Sequence, residues 1–189
     1  MKKRLILVGK AASGKDHARK ICEQWLDMPY AISYTTRPPR EDETNGRDYY
    51  FVSKNVFEYM LSKDLWYEYV VFNDWYYGTT REQMDTPGQV FIMTPIGLSH
   101  VSQQDRDESL VIYFEIDEET RRLRMYGRKG NADSVERRIE ADNKDFENFT
   151  NYDIKIDNPQ FCITDIAKIV KKNMEIHIPQ NIEKIINEK

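Results

Sequence analysis

Apolar positions in this chain fall into short unbroken runs separated by stretches of helical spacing, the pattern of strands buried on both faces alternating with amphipathic helices. The first run, Leu5-Ile6-Leu7-Val8, leads through a glycine-bounded loop into a helix expected from about Gly14 to Leu26, which Pro29 closes. A short strand reads at Tyr30 to Tyr34. Further strands read at Gln89 to Met93, Leu110 to Ile116 and Tyr152 to Ile156. Between and after them the spacing predicts a short helix from Pro95 to near Gln104, then Glu118 to Tyr126, Ser134 to Phe149 and Asp165 to Met174. Glu118 to Tyr126 carries acids in its first turn and arginines towards its end, as the helix dipole favours. Val135, Ile139, Phe146 and Phe149 form the apolar stripe of the next helix. The alternation argues an α/β fold: three layers, α/β/α, around a central parallel sheet, with ligands at the carboxyl ends of the strands.

One region breaks this rhythm. Thr35 to Arg47, TTRPPREDETNGR, holds two prolines, three arginines and an Asn-Gly turn, so it reads as a loop, either an ordinary connection or one that meets a ligand. From Asp48 to Tyr77 come aromatic-rich strands around a helix at Lys54 to Leu61, with a hairpin turn expected at Asn73-Asp74, where both residues tolerate positive φ. A small, mainly antiparallel lobe spanning 35–87 is therefore expected as an insertion into a core made of 1–34 and 88–174. Its Tyr and Trp residues suit a small core and a ligand wall equally. Residues 175–189 are a tail of unassigned role, in which Ile182, Ile185 and Ile186 suggest a short amphipathic helix that packs back or contacts a partner.

Composition narrows the classes. A chain of 189 residues suits one folding unit with an inserted lobe. With 28 basic against 32 acidic side chains the net charge is only -4, so nothing global attracts nucleic acid or an anionic membrane, and anions must be held locally. There is no apolar run of the roughly 18 residues a membrane span needs, and MKKRLILVG is followed by a charged helix rather than a cleavage site. A soluble, cytoplasmic protein is expected, monomer or homodimer. Cys22 and Cys162 make no disulfide framework; Cys22 shares a helical face with Ala18, Ile21 and Trp25 and reads as a buried thiol. His17, His100 and His177 have no ligand-like spacing.

The chemistry concentrates after the first strand. Gly9, Gly14 and Lys15 fit G-x-x-x-x-G-K, so the backbone N–H groups of Gly9-Lys10-Ala11-Ala12-Ser13-Gly14 are expected to cradle phosphates, with the Lys15 ammonium reaching the β and γ phosphates of ATP. The following helix adds its positive end. Asp16 stands where a hydroxyl residue usually ligates magnesium; a carboxylate there is itself a hard-oxygen ligand for Mg²⁺, direct or through water.

Taken together, this loop, Ser33-Tyr34-Thr35-Thr36-Arg37-Pro38-Pro39-Arg40, Glu43, Gly46, Asp48 to Ser53, Glu68, Tyr76-Tyr77-Gly78-Thr79, the basic region Arg124 to Arg138 and Asn158 resemble the guanylate kinase family over nearly all of Lys3 to Met174. The resemblance implies a P-loop nucleoside monophosphate kinase that moves a phosphoryl group from ATP to GMP or dGMP with Mg²⁺, through an acceptor lobe and a helical lid at about 124–138. It implies that Arg37, Arg40, Tyr49 and Tyr77 hold the acceptor phosphate and that Ser33, Glu68, Thr79 and Thr94 face the base. Lys15, Arg124, Arg128 and Arg138 would surround the transferred group, and Asn158 would lie on the ATP side. Arg137, Arg121 and Arg122 read as solvated. The chain departs from the family pattern twice: Ile92-Met93-Thr94 replaces a strand with two acids, and Asp16 replaces the hydroxyl. Glu68 also has its own chemical warrant, since one carboxylate accepts both N1–H and the 2-amino group of guanine. The alternatives are a deoxynucleoside monophosphate kinase of wider base tolerance, and a silent guanylate-kinase-like module that binds a partner protein.

Overall fold

The computed structural model describes residues 2–127 and 134–187. In chain order it runs β1 (Arg4–Gly9), α1 (Lys15–Trp25), β2 (Tyr34–Thr35), β3 (Tyr50–Phe51), α2 (Lys54–Ser62), β4 (Trp66–Phe72), β5 (Trp75–Thr80), α3 (Arg81–Asp85) and β6 (Val90–Met93). There follow α4 (Pro95–Ser99), α5 (Gln103–Asp107), β7 (Ser109–Phe114), α6 (Glu118–Tyr126), α7 (Val135–Asp145), β8 (Ile154–Ile156), α8 (Ile163–Asn173) and α9 (Gln180–Asn187).

The main sheet is parallel in the order β6-β1-β7-β8. Period-two alternation in β1 sends Leu5 and Leu7 into a core with α1, α8 and α9, and Ile6 and Val8 into a second core with Phe91, Leu98, Val101 and Val111. All four are fully buried, each contributing roughly 1.5–3 kcal/mol of burial free energy, which makes β1 the least replaceable strand. Because both cores meet on β1, its last residue, Gly9, is held at one fixed point, and the loop after it starts from there.

The strand expected at Tyr30 to Tyr34 is divided. Tyr30 bridges Val90 at the edge of the main sheet, while Tyr34 and Thr35 enter a second sheet of order β3-β2-β5-β4. That sheet is antiparallel except for the β2–β3 pair. Its hairpin turns at Asn73 and Asp74, with φ of 51° and 62°, the two positive values that match the twist of the strands. The rings of Phe57 and Trp66 stack at 4.0 Å, and they do so over Gly78, where a Cβ would fall 2.9–3.0 Å from them. Part of the aromatic cluster is thus core, and Tyr49, with Tyr77 against its ring, is left for the cleft.

Two expectations change in three dimensions, and a third narrows to one of its two alternatives. The helix predicted to Phe149 ends at Asp145, and Phe146 and Phe149 turn back to pack on Tyr113, leaving Val135 and Ile139 with Ala12 and Met125. Trp25 is exposed, because the buried stripe of α1 runs through Ala18, Ile21 and Cys22. The tail packs back: Ile178, Ile182 and Ile186 join the α1/α8 core, and Lys171 meets Glu183 at 3.1 Å.

Candidate functional site

Gly9 leaves β1 where no side chain fits. A Cβ there would lie 2.7 Å from Ser13 Oγ and 2.9 Å from the Phe114 carbonyl oxygen. Ala12 (φ 60°) and Gly14 (φ 107°) then curl the loop back on itself, and Gly14 also clears the Phe161 ring, 3.0 Å from its would-be Cβ. The Lys15 ammonium reaches back across the loop, donating to the carbonyls of Gly9 at 2.5 Å and Lys10 at 2.9 Å. Asp16 is exposed in the first turn of α1. Together these residues form one wall of a cleft of about 740 Å³, whose other wall carries Arg40, Glu43 and Tyr49 and whose lining includes Ile92.

On that second wall the basic loop is organised by one acid. Both Glu43 carboxylate oxygens accept from Arg37 Nη2, at 2.8 and 2.9 Å; Glu43 also accepts the Arg40 backbone N–H at 2.8 Å and lies 3.5 Å from the Arg40 guanidinium. The Arg37 guanidinium also lies near the rings of Tyr49 and Phe51, 5.6 and 5.7 Å from their centres. Tyr77 meets Tyr49 edge-on at 6.1 Å. Burial pushes the Tyr49 phenol up to about 12, with help from Tyr77 and Asp16, so it stays a neutral hydrogen-bond donor. Arg37, Arg40, Tyr49 and Tyr77 are therefore gathered as the sequence reading requires. Glu43 was legible only as a motif position, and its role as their organiser emerges from the geometry.

Where β4 pairs with β5 lies a buried polar corner. Glu68 is 8% exposed and Thr79 2%. Burial raises the Glu68 carboxyl, and the hydroxyl and backbone N–H of Thr79 pull it part of the way back. Gly97 leaves room for it: a Cβ there would sit 3.2 Å from Glu68 Oε2 and 3.5 Å from Thr94 Oγ1. The Thr94 hydroxyl caps α4 by accepting the Gly97 N–H at 3.1 Å. Glu68, Thr79 and Thr94 thus converge, while the side chain of Ser33 lies beside the Tyr30 hydroxyl.

The basic region divides by position. Arg124 donates to the Ala12 carbonyl at 3.0 Å and to the Pro159 carbonyl at 2.7 Å, joining the phosphate loop to the turn in which Asn158 Oδ1 accepts the Gln160 N–H at 2.9 Å. Arg138 is half-buried in the first turns of α7, and Arg128 lies outside the described residues. Arg137 is exposed, as expected, with its guanidinium 5.9 Å from the centre of the Phe72 ring. Arg122 is on a solvated face as expected, paired with Glu118 at 2.9 Å.

Arg121 is not. It is 1% exposed, donating to the Ile116 carbonyl at 3.2 Å and to Asp142 at 3.1 Å. The same Asp142 oxygen accepts the Ala11 N–H at 2.8 Å, and Lys10 reaches Asn143 at 2.7 Å. Burial raises the Asp142 carboxyl, opposed by Ala11, Lys15 and Arg121. The phosphate loop is thereby laced to α7, an arrangement without a signature in local spacing. Among the described residues no group of three or more His, Cys, Asp or Glu gathers as a metal cage, which leaves Asp16 as the carboxylate at the loop's end.

Comparison with known proteins agrees with this geometry. A model of the guanylate kinase family, described as "Guanylate kinase", matches residues 1–176. A guanylate kinase of Lactococcus lactis is 30% identical over 178 residues, covering 90% of this chain and 86% of that one. One of Nostoc is 29% identical over 167 residues, covering 84% and 83%. The crystal structure of guanylate kinase from Anaplasma phagocytophilum superposes with a TM-score of 0.69 at 20% identity, over 93% of this chain and 88% of that one, a likeness of fold. A family match over residues 1–176, a shared fold and a phosphate loop facing a gathered set of arginines and tyrosines lead to one conclusion: the chain belongs to the guanylate kinase family.

Proposed function

We propose that this protein transfers the γ-phosphoryl group of ATP to GMP or dGMP, giving ADP and the guanine nucleoside diphosphate. The observation that carries the reading is the cleft in which the phosphate loop faces Arg40, Glu43 and Tyr49. Phosphoryl transfer asks little covalent chemistry of a protein; it needs two phosphates brought into line and cations around the charge that spreads between them. In this reading Lys15 and the loop amides of residues 9–14 bind the ATP phosphates, and Asn158 lies on the nucleotide side. Arg37, Arg40, Tyr49 and Tyr77 hold the acceptor phosphate. Glu68 takes the two guanine donors, with Thr79, Thr94 and Ser33 supplying hydroxyls around the base. Arg124, Arg128 and Arg138 neutralise the transferred group from a lid at about 124–138, whose closure excludes water. Residues 35–87 act as the acceptor lobe and 1–34 with 88–174 as the core.

Magnesium fits the donor set, because this ion binds through one or two carboxylates, phosphate oxygens and water rather than a full protein cage. Asp16 would hold it, and the ion would neutralise charge on the ATP phosphates. The retained Lys15 and Arg124 favour an enzyme over a silent protein-binding module. Among the described residues no helix is long and apolar enough to cross a membrane; we place the protein in the cytoplasm, acting on free nucleotides. A coupled assay of ADP release against GMP, dGMP, AMP, UMP and dTMP tests the reading. GMP and dGMP should stand alone, and equal use of AMP would overturn it.

A further inference from the structure

Arg19 has no part in the roles assigned above. It lies on α1 one turn beyond Asp16, lines the same cleft, and is 7% exposed. Its guanidinium carbon sits 4.8 Å above the centre of the Tyr30 ring, and Glu23, one helical turn on, accepts a hydrogen bond from one terminal nitrogen. Among the described residues that is the one hydrogen bond the guanidinium makes. A guanidinium carries five N–H donors in a rigid plane, so one engaged by a single protein partner, itself a third exposed, keeps further donors available in the cleft that Arg19 lines. It lines the cleft together with Arg40 and Tyr49, the residues read as holding the acceptor phosphate. Burial drives the Tyr30 phenol up, Tyr49 and Asp16 add to that, and Arg19 opposes it; Arg19 also contributes to lowering Asp48, next to Tyr49.

A second consideration concerns charge. Asp16 brings a negative group into the cleft that an acceptor phosphate would have to enter. Arg19, three residues later on the same helix, is positioned to offset that repulsion. We propose that Arg19 is a further phosphate-binding residue, whose unused N–H edge grips the phosphate of the acceptor nucleotide from the α1 wall of the cleft that Arg40 also lines. The inference rests on the reading that a nucleoside monophosphate occupies this cleft. Tyr30 holds the guanidinium flat, Glu23 fixes its far end, and the open edge matches the oxygens of a phosphate.

The test is calorimetric titration of the whole protein with GMP, guanosine and ATP, for the wild type, Arg19→Met and Arg19→Lys, with thermal melts alongside. Methionine keeps an apolar stem over Tyr30 without the charge. Arg19→Met should weaken GMP about tenfold or more while leaving guanosine and ATP where they were. Arg19→Lys, charged but without the fork, should fall between, and it decides the question if the methionine variant does not fold. A GMP affinity unchanged in both variants overturns the proposal. So does an equal loss for GMP and guanosine, which would make Arg19 a prop for Tyr30, or a loss confined to ATP. If the wild type itself does not prefer GMP to guanosine, the underlying reading fails together with the proposal.

Discussion

Replacing Glu68 by glutamine should move stability and binding in opposite directions. The carboxyl is 8% exposed, and burial holds its folded-state pKa above the ordinary glutamate value of 4.5. The folded state therefore keeps this proton to higher pH than the unfolded chain does, so stability falls as pH rises between the two values. The cost is absent below the unfolded value and fully present above the folded one. Glu68→Gln removes the ionising group while keeping an oxygen that can accept from Thr79. The unliganded variant should thus melt above the wild type at pH 8, and the difference should vanish near pH 4. Binding runs the other way, because guanine presents two donors and the variant offers one acceptor and one donor. One mismatched buried pair costs roughly 1–3 kcal/mol, or about 5- to 150-fold in Kd for GMP. Thermal melts at the two pH values and GMP titrations measure both halves. If the variant melts below the wild type at pH 8, the buried carboxylate is not the liability argued here; if its ratio of GMP to AMP binding is unchanged, Glu68 does not read guanine.

Four further outcomes follow from the geometry. Lys15→Ala should abolish phosphoryl transfer in a protein whose circular dichroism is unchanged, since Lys15 is the cation reaching across the loop. Asp16→Ser should raise the magnesium midpoint and improve metal-free ATP binding, with Ile92→Asp moving the midpoint back; a magnesium titration of activity and a metal-free calorimetric titration decide it. Asp142→Ala removes the shared partner of Arg121 and Ala11, stranding a buried guanidinium, and should lower stability by about 3 kcal/mol or more in urea unfolding. Gly78→Val drives a side chain into the Phe57 and Trp66 rings, where overpacking costs roughly 1–3 kcal/mol or more; hydrogen exchange should report the loss in β4 and β5 ahead of the main sheet.

Where the physics is local, the sequence by itself determined the outcome. An unbroken apolar run must be buried on both faces, so β1 and the helix behind it follow from residues 5–26. Gly9 and Gly14 occupy backbone positions that exclude or strain a side chain, so the loop's shape is written in its spacing. The same holds for the Asn73-Asp74 hairpin and for α6, whose observed ends match the charge pattern. Tertiary structure decided what depends on partners distant in the chain. Arg121 looks like its neighbour Arg122 in sequence, and only the approach of Asp142, 21 residues on, makes one a buried anchor and leaves the other in water. Tyr30 to Tyr34 reads as one strand, yet Val90 and Gly78 compete for its two ends and divide it between sheets. Glu68 is an ordinary acid by its spacing and a base reader by motif and chemistry, and what only the fold decides is its burial, with Gly97 leaving space beside it and Thr79 opposite. Arg19, one helical turn from Asp16, gains its position from Tyr30, on a separate element. A burial pattern is carried by each residue in its own window, whereas the partner of a charge is set by where the chain returns, and periodicity has no access to that.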